Sequence, residues 1–217
     1  MNGRLGAGNF ALVLTADHGV APLPDYASGL RLPAHNVNAR DYGPQLNRLL
    51  SAKLGKTANY VVGFNYPRAF LSEPAFAGVN LGEAEAERLA GETMKQLGIP
   101  AFATKAQLAA GDAPNSVFAE QLRNSYSPLP GWYVYGLQPP FVVGSASGTE
   151  HGSTFAYDAH VPLVFYGSAF RPGVYDQAAE PIDVAVTFSE LLGINQPASA
   201  TGHVLWQALA APPPERR

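Results

Sequence analysis

The feature that most constrains this chain is the alternation of short apolar runs with amphipathic helical stretches along its length. Phe10 to Thr15 is a continuous apolar run after a glycine-rich start, the pattern of a strand buried in a covered sheet. Residues 44–54 place Leu46, Leu49, Leu50 and Leu54 on one helical face and close at Gly55. Residues 60–64 and 68–71 read as a strand pair. The strongest helical pattern covers residues 81–97, with Asn80 as cap, Glu83 completing a capping box, and Gly98 as terminator. Its buried stripe is Ala86, Leu89, Ala90, Met94 and Leu97. Residues 99–104, 132–135 and 161–166 read as strands, and residues 116–123 as a helix. Residues 183–192 form a further helix, with Val184, Phe188, Leu191 and Leu192 inward and Gly193 at its end. Residues 20–41 are rich in Pro, Gly, Asn and Asp and predict a long surface loop. Alternation of this kind favours an α/β sandwich.

With 217 residues, 47% of them hydrophobic and 14% charged, the chain has apolar material for one globular core. Its net charge of −3 comes from scattered single residues, so no basic surface is offered to a nucleic acid polymer. The absence of cysteine excludes disulfides, thiolate zinc sites and cysteine nucleophiles. No apolar run approaches the ~18 residues of a membrane span, and the first residues lack the pattern of a signal peptide. Residues 210–217 have the composition of a disordered tail.

Two short segments carry candidate chemistry. Thr15-Ala16-Asp17-His18-Gly19 lies at the carboxyl end of the first strand, where open α/β sheets bind ligands. Gly19 lets the backbone turn so that a carboxylate and an imidazole on adjacent positions face one ion, and oxygen with nitrogen donors suits zinc. A plain hydrogen-bonded turn is the alternative. Thr149-Glu150-His151-Gly152-Ser153 is a second histidine–glycine loop, 133 positions (151 − 18) beyond His18, so any shared site must be assembled by the fold. Asp158 is placed to hydrogen-bond the loop that presents His151. His160 precedes a strand and reads as structural; His35 and His203 read as exposed. Ser145, Ser147 and Ser153 would suit a serine hydrolase, but no Gly-x-Ser-x-Gly elbow is present. Lys105 and Arg68 could meet a substrate phosphate, although isolated basic residues are usually solvated surface charges.

The segments Leu14 to Val20, Gly148 to Ser153 and Tyr157 to Gly167, in that order, resemble the alkaline phosphatase superfamily. The closest likeness is to the bacterial phosphatases of the type I phosphodiesterase and nucleotide pyrophosphatase branch. Ala200-Thr201-Gly202-His203-Val204-Leu205 is similar to that family's carboxy-terminal segment, so the likeness covers nearly the whole chain. The resemblance implies an incomplete, carboxy-terminal portion of an alkaline phosphatase-like α/β/α sandwich, spanning residues 1–217. It implies two zinc ions, with Asp17 and His18 on the nucleophile-side ion and His151 on its neighbour, acting on a small phosphate ester. The family's nucleophile and remaining ligands are expected upstream of Met1, in a missing amino-terminal half, so the resemblance implies little activity for this chain alone. It also implies a periplasmic or extracellular location. The alternatives are a non-catalytic remnant working as an interaction module and a sulfatase-like member of the superfamily.

Overall fold

The computed structural model describes residues 2–6 and 8–210. In chain order the first elements are α1 (Asn2–Leu5), β1 (Leu12–Leu14), α2 (Pro24–Gly29), β2 (His35–Asn36), α3 (Tyr42–Leu54), β3 (Val61–Asn65), β4 (Arg68–Leu71) and α4 (Glu73–Ala77). They are followed by α5 (Glu83–Met94), β5 (Ala101–Thr104), α6 (Lys105–Ala110), α7 (Val117–Asn124), β6 (Trp132–Leu137), β7 (Val142–Val143), α8 (Ala156–Ala159), β8 (Val164–Tyr166) and α9 (Asp183–Leu192). These divide into two compact units, one of residues 20–159 and one made from the residues before 20 and after 159.

The first of these units is built on an antiparallel sheet in the order β3-β4-β6-β5. Helices α3 and α5 cover one face, and their approach depends on glycine. A Cβ at Gly91 would strike the Phe102 ring, and one at Gly136 would lie 2.7 Å from Ile99 Cγ2. Leu46, Leu50, Tyr60, Phe76, Met94, Ile99 and Val134 are wholly buried between the layers, each apolar side chain contributing up to about 1.5–3 kcal/mol. The stripe on α5 holds as read: Ala86, Ala90 and Met94 are fully buried, with Leu89 and Leu97 packed at the edge. Its start differs. Asn80 has a left-handed φ of 59°, Gly82 takes the cap position, and no side chain caps the helix. The capping box lies instead at α6, where Thr104 Oγ1 accepts from Gln107 N and Gln107 Oε1 accepts from Thr104 N. Residues 20–41 are not a bare loop: they contain α2 and β2, and β2 pairs in parallel with β7.

In the second unit β1 pairs antiparallel with β8. Val13 and Phe165 turn inward, and Phe165 stacks on Phe170 and on Phe188 of α9 at 4.9 and 6.2 Å between ring centres. The opposite face departs from the covered strand expected of residues 10–15. Leu12 faces Tyr166 and Leu14 faces Val164, and these four are 37%, 54%, 58% and 51% exposed. Period-2 alternation therefore rules a run that reads as apolar on both sides. Helix α9 ends at Gly193, with φ 64°, as its sequence predicts. Its fully inward residues are Asp183, Val186, Thr187 and Ser189, whereas Leu192 is 63% exposed. Hydroxyl and carboxylate groups on that face serve the chain after Thr201: Asp183 Oδ1 accepts from His203 N and Thr187 Oγ1 from Leu205 N. Of the tail at 210–217, Ala210 donates to Ala169 O and residues 211–217 lie outside the described residues. Among the described residues no helix is long and apolar enough to cross a membrane.

Candidate metal centre

Asp17 and His18 follow β1 in irregular backbone and are exposed, Asp17 by 88% and His18 by 41% of their side chains. Their mutual geometry is specific. Asp17 Oδ1 accepts from His18 N at 3.1 Å, which draws the carboxylate back along the chain. His18 Nδ1 lies 2.7 Å from Gly19 O, and because a carbonyl only accepts, Nδ1 carries the proton. In the neutral ring Nε2 is then the acceptor nitrogen, and it lies 3.5 Å from Asp17 Oδ2. Two ligands of a tetrahedral zinc at bond lengths of about 2.0–2.1 Å are separated by about 3.4 Å. The pair therefore fits adjacent positions on one zinc ion, and with a protonated ring it is an ordinary ion pair.

His151 lies in the irregular segment between β7 and α8, in the other unit. Gly152, at φ 109°, takes a conformation closed to side-chain-bearing residues and so fixes the His-Gly order. The loop is held on both sides of the histidine. Ala21 N donates to Glu150 O at 3.1 Å, and Thr149 Oγ1 donates to Ala21 O. Beyond it, Asp158 Oδ2 accepts from Ser153 N and from Ser153 Oγ. Asn36 Nδ2 steadies the approach by donating to Ser145 O. Asp158 thus has the loop-holding role its sequence position suggests. A cavity of about 20 Å³ lies beside the loop, with Tyr66, Gln138, Glu150, His151, Tyr157 and Asp158 in its wall. That is room for about one water molecule. Burial pushes the Tyr66 phenol up to about 12, so it stays neutral and hydrogen-bonding.

Among the described residues no three His, Asp or Glu side chains gather as a metal site. His35, His160 and His203 are exposed. Ser153 Oγ is committed to Asp158 and Ser145 Oγ to Ser147 O. Lys105 is not a solvated charge: Glu83 accepts from it at 2.7 Å and Gly131 O at 2.8 Å. Sequence reading also passed over Glu87, wholly buried on α5, whose oxygens accept from Ala106 N and Tyr133 N. Its place between Ala86 and Ala90 is the one sequence sign of that burial.

In fold the chain is a partial alkaline phosphatase-like α/β domain. It matches the crystal structure of wild-type alkaline phosphatase PafA with a TM-score of 0.81 at 22% identity, over 96% of this chain and 40% of that one. No protein-family model matches. By sequence it is 28% identical over 215 residues to a calcium-transporting ATPase of Myroides odoratus and 22% identical over 209 residues to alkaline phosphatase PafA of Elizabethkingia meningoseptica. It is also 25% identical over 210 residues to alkaline phosphatase PhoV of Synechococcus elongatus. These likenesses support a place in the alkaline phosphatase superfamily. The chain spans 37–38% of the length of these three relatives.

Proposed function

We propose that this chain supplies part of the metal centre of a zinc-dependent phosphoric ester hydrolase, with Asp17 and His18 on one ion and His151 on a second. The observation that carries the reading is the 3.5 Å separation of His18 Nε2 and Asp17 Oδ2, the spacing of neighbouring zinc ligands. The names of the relatives are consistent with it, because a phosphatase and an ATPase both transfer a phosphoryl group to water.

Two bound zinc ions would supply charge stabilisation at the attacking and leaving oxygens of the ester. This chain's own residues hold and orient. Asp17 contributes a charged oxygen, and Gly19 O fixes the His18 tautomer. Ala21 and Asp158 keep the His151 loop in place before any ligand arrives. Each zinc needs about four donors, so the remaining ligands and the nucleophile come from further polypeptide. The compartment that suits this reading is the periplasm or the cell exterior, as in the family that the motifs resemble.

The test is a zinc titration of the isotope-labelled chain, followed through the imidazole signals of its five histidines. His18 and His151 should shift first, and Asp17→Asn should weaken the His18 response about tenfold. Equal shifts at all five histidines, or none at His18 and His151, would remove the assignment. The chain alone should hydrolyse para-nitrophenyl phosphate no faster than buffer.

A further inference from the structure

Arg68 and the rings beside it are not used by the metal centre. Arg68 lies opposite Tyr135, and Phe70 opposite Tyr133, on adjacent strands β4 and β6. Alternation puts all four side chains on one face of the sheet, the face away from α3 and α5. The Arg68 guanidinium lies 5.6 Å from the centre of the Phe70 ring and 5.9 Å from that of Tyr135, within the range of cation–π attraction. It is half-buried, and among the described residues no carboxylate pairs with it and no oxygen accepts from it.

Lys105 makes an instructive comparison. It too lies over a ring of this face, 5.7 Å from the centre of Tyr133, but its charge is met by Glu83 and by Gly131 O. Arg68 has aromatic neighbours and, among the described residues, no anion. The rings beside it are held in place. Tyr133 is wholly buried and meets Tyr135 edge-on at 5.5 Å. The bulge in β3 sets Gly63, which has no side chain, opposite Phe70, and Arg68, Phe70 and Tyr135 each keep part of their surface in solvent.

We propose that Arg68, Phe70 and Tyr135 form a binding site for a planar aromatic group carrying a phosphate, an aryl or nucleoside monophosphate. The guanidinium fork matches two phosphate oxygens at once, and it does so best where water is partly excluded. Phe70 and Tyr135, both half-buried, offer ring surface beside that fork, on which a base or aryl group stacks whatever the pattern of its polar atoms. A bare phosphate would use the fork alone, and a bare nucleoside the rings alone. The site selects for the two joined.

The experiment uses the labelled chain with chelator present, so zinc plays no part and the outcome is independent of the metal reading. Adenosine monophosphate should shift the Arg68 Nε, Phe70 and Tyr135 signals. Ribose phosphate and adenosine should each bind at least about tenfold more weakly. Arg68→Met and Phe70→Leu should each weaken adenosine monophosphate binding by a similar factor while the thermal midpoint stays near that of the parent chain. Arg68→Lys should not restore it, because an ammonium lacks the planar fork. Unmoved signals, equal binding of ribose phosphate, or unchanged affinity in Arg68→Met would each overturn the proposal.

Discussion

Asp158 Oδ2 accepts both donors of Ser153, the backbone N–H at 2.8 Å and the hydroxyl at 2.6 Å. Asp158 is 5% exposed, and its other oxygen, Oδ1, is buried with no hydrogen-bond partner among the described residues. Asp158→Ala should therefore leave two donors unmet and cost about 1–3 kcal/mol, with faster amide exchange at Ser153. Asp158→Asn keeps an acceptor in place and should cost less. Urea denaturation and exchange measured on the same samples check both.

Glu87 gives the chain a built-in pH dependence. Burial raises its carboxyl from 4.5 to about 7, although the N–H groups of Ala106 and Tyr133 pull the other way. A raised acid pKa means that the folded state holds a proton which the unfolded state has already released. Stability from this group is fully present below 4.5 and is lost as pH rises through about 7. The loss is on the order of 3 kcal/mol. Urea melts at about pH 5 and pH 8 should differ in that direction, and Glu87→Gln should remove most of the difference.

Gly202 is a point of backbone contact. A Cβ there would fall against Ile182 O and within 2.9 Å of Asp183 Cα, atoms that cannot swing aside as a side chain can. Gly202→Ala should destabilise the unit by about 1–3 kcal/mol or more, read as a lowered thermal midpoint. It should also disturb the His203 N to Asp183 Oδ1 bond, which follows directly along the chain.

The outer face of the β1–β8 pair predicts association. Leu14→Lys and Val164→Lys place charge on side chains that are 58% and 51% exposed. Each should change monomer stability by no more than about 0.5 kcal/mol and reduce self-association measured by sedimentation. A parent chain that stays monomeric at high concentration would contradict this.

The elements that sequence made legible are those whose pattern is local. The glycine stops at Gly55, Gly98 and Gly193 all adopt left-handed backbone as read, because only glycine takes that conformation cheaply. The strand pair β3–β4 and the stripe on α5 were equally plain. What stayed hidden depends on partners far along the chain. Glu87 reads as a surface residue until β6 and α6 are seen to bring two N–H groups to it. Leu12 and Leu14 read as core because apolar character says nothing about which layers are present. For the candidate metal centre, the glycine-flanked motifs single out Asp17, His18 and His151, and their role as ligands is the proposal made above. The anchoring of the His151 loop at Ala21 was not, because no sequence motif announces a main-chain contact.

The same contact bears on how this protein can drift. Ala21 steadies the loop with its N–H and its carbonyl, and its methyl group only needs to be small enough for a site that is 5% exposed. Any compact residue other than proline brings the same two atoms. A change to glycine or serine there keeps both hydrogen bonds, so the residue at position 21 can differ while the loop is still held.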